Sequence, residues 1–151
     1  MFYPFRFTLL FYGLFVIYLV RAEPEKENHF TLALKKTLFS TARSCMSHVN
    51  ANETDLEYLR KDPPFPDKAA CIIKCLLEKI GVVKNNKYSK MGFLTAVSPL
   101  VFTNKKKLDH YKSVSENCEK EINHDQTTEC ELGNEVVSCI FKYAPELHFK
   151  T

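Results

Sequence analysis

Six cysteines are the side chains with the most chemistry to offer, spaced Cys45-x25-Cys71-x3-Cys75-x42-Cys118-x11-Cys130-x8-Cys139. Thiols set out this way either pair as disulfides where the surroundings are oxidising or ligate a metal as thiolates where they are reducing. A zinc set would draw on Cys71, Cys75, Cys118 and His110. Delivery decides between the two, and the first residues bear on it. Phe7 to Val20 is a charge-free run of 14 residues after Arg6, followed by Val20-Arg21-Ala22 and then the sharply polar Glu23-Pro24-Glu25-Lys26-Glu27. That is the layout of a secretory signal peptide cut after Ala22. The run is short against the ~18–20 residues that span hydrocarbon, so it is not read as an anchor. An exported chain with an even number of cysteines carries a disulfide framework, and the metal reading falls away.

Other chemistry is sparse. There is no Gly-x-Ser-x-Gly, no His-Glu-x-x-His and no glycine-rich phosphate loop. His124-Asp125 is a lone dyad in a polar stretch, and His29 and His48 have no nucleophile set beside them. The chain is therefore not expected to be an enzyme, and no cofactor is implied. With the leader removed, 129 residues remain, and 19 Lys+Arg face 18 Asp+Glu. A nearly neutral chain lacks the basic surface that binds a phosphate backbone by releasing counterions, so nucleic acid is excluded as a partner. No second apolar run of spanning length follows Ala22, so no stable membrane insertion is expected.

The expected organisation is a leader over 1–22 and a single all-α domain over 23–151, with six helices stapled by disulfides. Phe30, Leu34, Leu38, Ala42 and Cys45 trace one face of a helix over about 29–48. Thr54 with Glu57 fits a capping box for a short helix carrying Leu56 and Leu59, ended by Pro63-Pro64. Asp67 caps a third helix through Ile80, apolar on most sides and hence central, with Gly81 beyond its end. Asn85-Asn86 is a turn signal, and Ser89 opens a fourth helix closed by Ser98-Pro99. A fifth spans about 105–121, although Lys105-Lys106-Lys107 suits a helix N-terminus poorly. Thr127 or Thr128 caps a sixth through about Tyr143, ended by Pro145.

Helix geometry limits the cross-links. Cys71 and Cys75 share one helical face with Cβ atoms ~5–6 Å apart, too far for a disulfide's ~3.5–4.5 Å. Cys130 and Cys139 would lie ~13 Å apart along the sixth helix. Ten of the fifteen pairings open to six cysteines survive these two exclusions.

This cysteine string on a leader-bearing helical chain resembles the insect odorant-binding protein family, which includes pheromone-binding and general odorant-binding proteins. The x3 and x8 intervals are its tightest hallmarks, and the likeness covers essentially the whole chain after the leader. The resemblance implies the interlocked pairing Cys45–Cys75, Cys71–Cys130 and Cys118–Cys139. It also implies six helices around a cavity that carries small hydrophobic molecules through aqueous secretions, in a monomer or weak homodimer. A pocket for such a guest is mostly apolar with a few orienting polar groups. The candidates are Leu56, Leu59, Leu76, Ile80, Met91, Phe93, Leu94, Val97, Tyr111, Val114, Val136, Ile140 and Phe141. Met91 suits adaptable packing, and Tyr111 offers a hydroxyl to an alcohol, aldehyde or ester.

Tails of some family members lie over the cavity and respond to pH. Here Leu147 and Phe149 are candidates to cover a pocket mouth, beside His148, whose charge changes as pH falls. Asn52-Glu53-Thr54 is an N-glycosylation sequon between the first two helices. Lys105-Lys106-Lys107 reads as a solvated edge, or as a contact for a membrane surface or receptor. The alternative to an odorant carrier is a secreted interaction protein of seminal or salivary fluid, which uses the same scaffold for a protein or a non-odorant ligand.

Overall fold

The computed structural model describes residues 29–102, 104–122 and 128–150. The expected leader and the His124-Asp125 dyad lie outside them, as does the Phe30 side chain. Six helices are described: α1 His29–Met46, α2 Glu53–Glu57, α3 Asp67–Lys79, α4 Lys90–Val101, α5 Lys105–Glu121 and α6 Glu129–Tyr143. A two-stranded hairpin, β1 Val83–Lys84 and β2 Lys87–Tyr88, stands between α3 and α4, and single 3-10 turns follow α2 and α6.

Helix ends follow local hydrogen-bond chemistry. At α2 the capping box is Asn52 with Asp55, whose side chains and backbone amides exchange bonds of 3.1 and 2.9 Å. The expected Thr54/Glu57 box is therefore displaced by two residues, because Asn52 offers the same reciprocal capping earlier in the chain. α3 ends in a Schellman motif. Gly81 adopts φ +79°, its N–H donates to Glu78, and the Val82 N–H reaches Leu77. Asn85 and Asn86 then take φ near +52° and +56°, the two left-handed positions a tight hairpin needs, and Val83 pairs with Tyr88.

Pro99 does not close α4 as expected but lies within it. Proline removes the bond to the carbonyl four residues back, which is Thr95. The Ser98 hydroxyl donates to that same carbonyl at 2.8 Å, so the helix continues to Val101. At α5 the Asn104 side chain accepts from the Lys107 N–H and supplies the cap that the lysines lack.

α3 is the central element, packed on α6 and α1. Its close approach to α6 depends on Gly133, where an added Cβ would sit 2.6 Å from the Ala70 carbonyl oxygen and 2.9 Å from the Lys74 nitrogen. Next to it Asn134 clamps the proline-rich corner, accepting from the Phe65 N–H at 2.8 Å and donating to its carbonyl at 2.9 Å. Three disulfides tie α1 to α3 (Cys45–Cys75), α3 to α6 (Cys71–Cys130) and α5 to α6 (Cys118–Cys139). This is the interlocked pairing that the resemblance implied. It leaves α4 as the one long helix among the described residues without a covalent tie.

Gly133→Ala is expected to destabilise the protein by about 1–3 kcal/mol, because backbone rather than a flexible side chain must give way. A lowered urea midpoint with an unchanged slope would report it. An unchanged midpoint would mean that α3 and α6 are not in backbone contact there.

A candidate ligand-binding interior and its C-terminal cover

The capping and tethering above turn one face of each helix inward. Leu56 and Leu59 come from the α2 region, Leu76 from α3, Phe93 and Val97 from α4, Tyr111 and Val114 from α5, and Val136 and Ile140 from α6. All are buried in one continuous apolar cluster. Ile80, Leu94, Phe141 and Phe149 are partly buried and pack against it. Met91 is the exception and does not belong to the interior. It is 68% exposed, because at 100° per residue it lies nearly opposite Phe93 around α4.

The same cluster includes residues that were not singled out from the sequence, among them Phe65, Ile72, Ile73, Val82, Val83 and Tyr88. Polar groups within it are few. The Tyr88 hydroxyl and Ser115 Oγ lie 3.1 Å apart, and Ser115 Oγ is 3.3 Å from the Lys90 carbonyl. Burial pushes the Tyr88 phenol up to about 12. Tyr111 packs edge-to-face on Phe93, with ring centroids 6.2 Å apart. Burial and then the nearby Glu146 carboxylate push its phenol up as well, so it is a neutral hydrogen-bonding group. Glu146 also lies 3.4 Å from His110 Nε2.

Glu146 belongs to the C-terminal segment, which folds back on the body. The His148 ring stacks on Phe141 with centroids 4.3 Å apart, and Phe149 meets Phe141 edge-on at 6.1 Å. His148 is only 8% exposed. Its Nδ1 accepts from the Lys150 N–H at 3.0 Å, which leaves the neutral ring's proton on Nε2, 3.3 Å from Asp62 Oδ1. The Lys150 ammonium reaches the same carboxylate at 2.6 Å, and Lys35 Nζ lies 3.5 Å from the Lys150 carbonyl. Leu147 is half-buried against the cluster. No single window of sequence signals this docking, since it joins Asp62 and Lys35, which are distant along the chain, to Phe141 on α6.

A separate cleft of about 530 Å³ opens beside the Cys71–Cys130 and Cys45–Cys75 bridges, with Lys74, Lys79 and Glu129 on its walls. It contains none of the candidate pocket residues named from the sequence, and its mixed charges do not suit an apolar guest. Asn52 stands exposed at its cap. Capping uses its side-chain oxygen, not the nitrogen a glycan would occupy.

The family model for the PBP/GOBP family matches residues 27–143. General odorant-binding protein 28a of Drosophila melanogaster is 39% identical over 69 residues, which cover 45% of this chain and 44% of that protein. The match thus spans less than half of that relative's length. A solved structure of a Drosophila melanogaster odorant-binding protein superposes with a TM-score of 0.59 at 23% identity. It covers 76% of this chain and 93% of that one, and it establishes the fold.

The buried ring gives the tail a pH dependence. Burial, with help from Lys150 and Lys35, holds the His148 pKa below its ordinary value, against Asp62 and a bond to the Lys61 backbone, which raise it. A depressed folded pKa means that the undocked tail binds the proton more tightly. Docking is then at full strength above the free imidazole pKa of ~6.5 and weakens as pH falls below it. Asp62 stays ionised through that range, its carboxyl held below the usual value by its hydrogen bond with Lys150. Backbone amide shifts of residues 146–150 are expected to move toward random-coil positions between pH 7 and pH 5, and to stay put in His148→Phe. A wild-type tail unmoved across that range would contradict the docking.

Proposed function

The chain belongs to the PBP/GOBP family, and on that premise we propose that it is an exported carrier of small hydrophobic molecules, of the odorant or pheromone class, held in the interior described above. The supporting observation is the apolar cluster itself. Inward side chains from five helical segments converge on it, three disulfides brace α1, α3, α5 and α6 around it, and the C-terminal segment packs against its edge. Relatives in both comparisons carry the name odorant-binding protein. The apolar run over residues 7–20 supports export. Among the described residues no helix is long and apolar enough to cross a membrane.

The mechanism needs no bond-making. A volatile guest leaves water for the cluster, and about 300 Å² of its apolar surface buried is worth about 7 kcal/mol, near the micromolar range. Tyr111 on α5 and the Tyr88–Ser115 pair are the neutral polar groups available to orient an alcohol, aldehyde or ester. For the guest to enter, either α4, which lacks a disulfide, or the C-terminal segment moves first.

The oxidised protein is expected to bind a fluorescent naphthylamine probe at about one per chain with micromolar affinity, and volatile alcohols or esters should displace it. Val136→Trp, at a fully buried position, should weaken the probe at least about tenfold by occupying the volume. The disulfides and helical circular dichroism should survive the change. No saturable probe binding by intact, fully oxidised protein would overturn the carrier reading.

A further inference from the structure

α4 is unlike the other long helices in what it shows to solvent. After Lys90, whose ammonium is held by Glu119 at 2.8 Å, it carries no charged residue. Phe93, Val97 and Val101 turn inward, and Met91, Thr95, Ser98, Pro99 and Phe102 are exposed. Met91 and Phe102 are eleven residues apart, which returns to within ~20° of the same face about 16 Å further along. Between them the Thr95 and Ser98 hydroxyls are turned back onto the Met91 and Thr95 carbonyls, each at 2.8 Å. The outer stripe is thus a charge-free ridge that ends in Phe102, which is 90% exposed.

α5 opens with Lys105, Lys106 and Lys107, all exposed. None of the three has an ion pair with another described residue. Three ammonium groups without an ion pair among the described residues therefore sit at the positive end of a helix, where the macrodipole disfavours them. An apolar edge with an aromatic tip beside an uncompensated basic cluster carries the two signals that together hold a protein on an anionic bilayer, one inserting and one electrostatic. A second copy of this chain fits less well. An antiparallel partner would bring its Lys84 and Lys87, which lie just before α4, toward the lysine cluster of the first.

We infer that the outer stripe of α4 and the Lys105–Lys107 cluster form a docking surface for an anionic lipid bilayer. Docking there would set α4, the untied wall of the candidate interior, against the membrane.

Co-sedimentation of the full oxidised chain with vesicles tests this. Binding is expected to 70:30 phosphatidylcholine:phosphatidylserine at 50 mM salt, with none to pure phosphatidylcholine, and it should fall at least about tenfold at 500 mM salt. Replacing Lys105, Lys106 and Lys107 together by Ala should weaken it on the order of a hundredfold, and Phe102→Ala should weaken it independently. All four positions are exposed, so interior probe binding should not change in either variant, which separates this surface from the carrier reading. Absence of binding to the anionic vesicles, or binding indifferent to these substitutions, would overturn the inference. So would a concentration-dependent dimer that Phe102→Ala abolishes without any vesicle binding, since the stripe would then belong to a second copy.

Discussion

α3 is held from two sides at once, and the rest of the structure follows from that. Cys71 and Cys75 stand one turn apart, and their bridges leave toward α6 and α1 respectively. Two cysteines on one helical face cannot satisfy each other, so each must recruit a different partner element. Each such bridge in a small secreted domain is typically worth about 2–5 kcal/mol. On the α6 side the bridge is reinforced by contact without side chains, where Gly133 brings one backbone onto another. Space for a guest cannot lie in that seam. On the proposed reading a guest would sit among Leu76, Phe93, Val97, Tyr111, Val114 and Val136, where helices meet through side chains.

Tethering also sorts the helices by how freely they move. α1, α3, α6 and α5 form one covalent series, and among the described residues α4 is joined to it through packing, the Lys90–Glu119 pair and the Ser115 hydroxyl's bond to the Lys90 carbonyl. Local opening draws on the segments with the fewest strong ties. A carrier must admit and release its cargo without losing its fold, and an untied wall beside a cross-linked frame divides those two demands between separate parts of the molecule.

The sequence made the frame legible where the chemistry is local. Gly81 and Pro145 mark helix ends because each has a backbone property that acts within a few residues, and Thr128 stands at the N-cap position of α6 without a side-chain cap bond. Errors arose where two local solutions were close in kind. Asn52–Asp55 and Thr54–Glu57 are both plausible capping boxes, and only the packing of Leu56 and Leu59 distinguishes them. Pro99 looked terminal because the Ser98 hydroxyl that replaces its missing bond is invisible to a proline rule. The hairpin was read only as a turn, since strands of two residues are too short to show alternation. Met91 suits a pocket by its side chain, but its angle around α4 turns it to solvent. Whether the buried face of a helix meets cargo or another side chain is not written in residue types, which is why the interior was legible as a set of apolar positions and not as a shape.

The C-terminal segment shows the same limit and what lies beyond it. Its docking joins Lys35 on α1, Asp62 after α2, His110 and Tyr111 on α5 and Phe141 on α6, so no window of sequence contains it. What holds it is weak beside the disulfides. The aromatic contacts of His148 and Phe149 with Phe141 are worth about 0.5–1.5 kcal/mol apiece beyond their burial, and an exposed pair such as Asp62–Lys150 adds little in water. One of its contacts is a buried imidazole whose pKa desolvation holds below the ordinary value, so that protonating it in the docked position costs free energy. The frame sets where the tail can lie, and the depressed pKa of His148 means that protonating this ring weakens the docking.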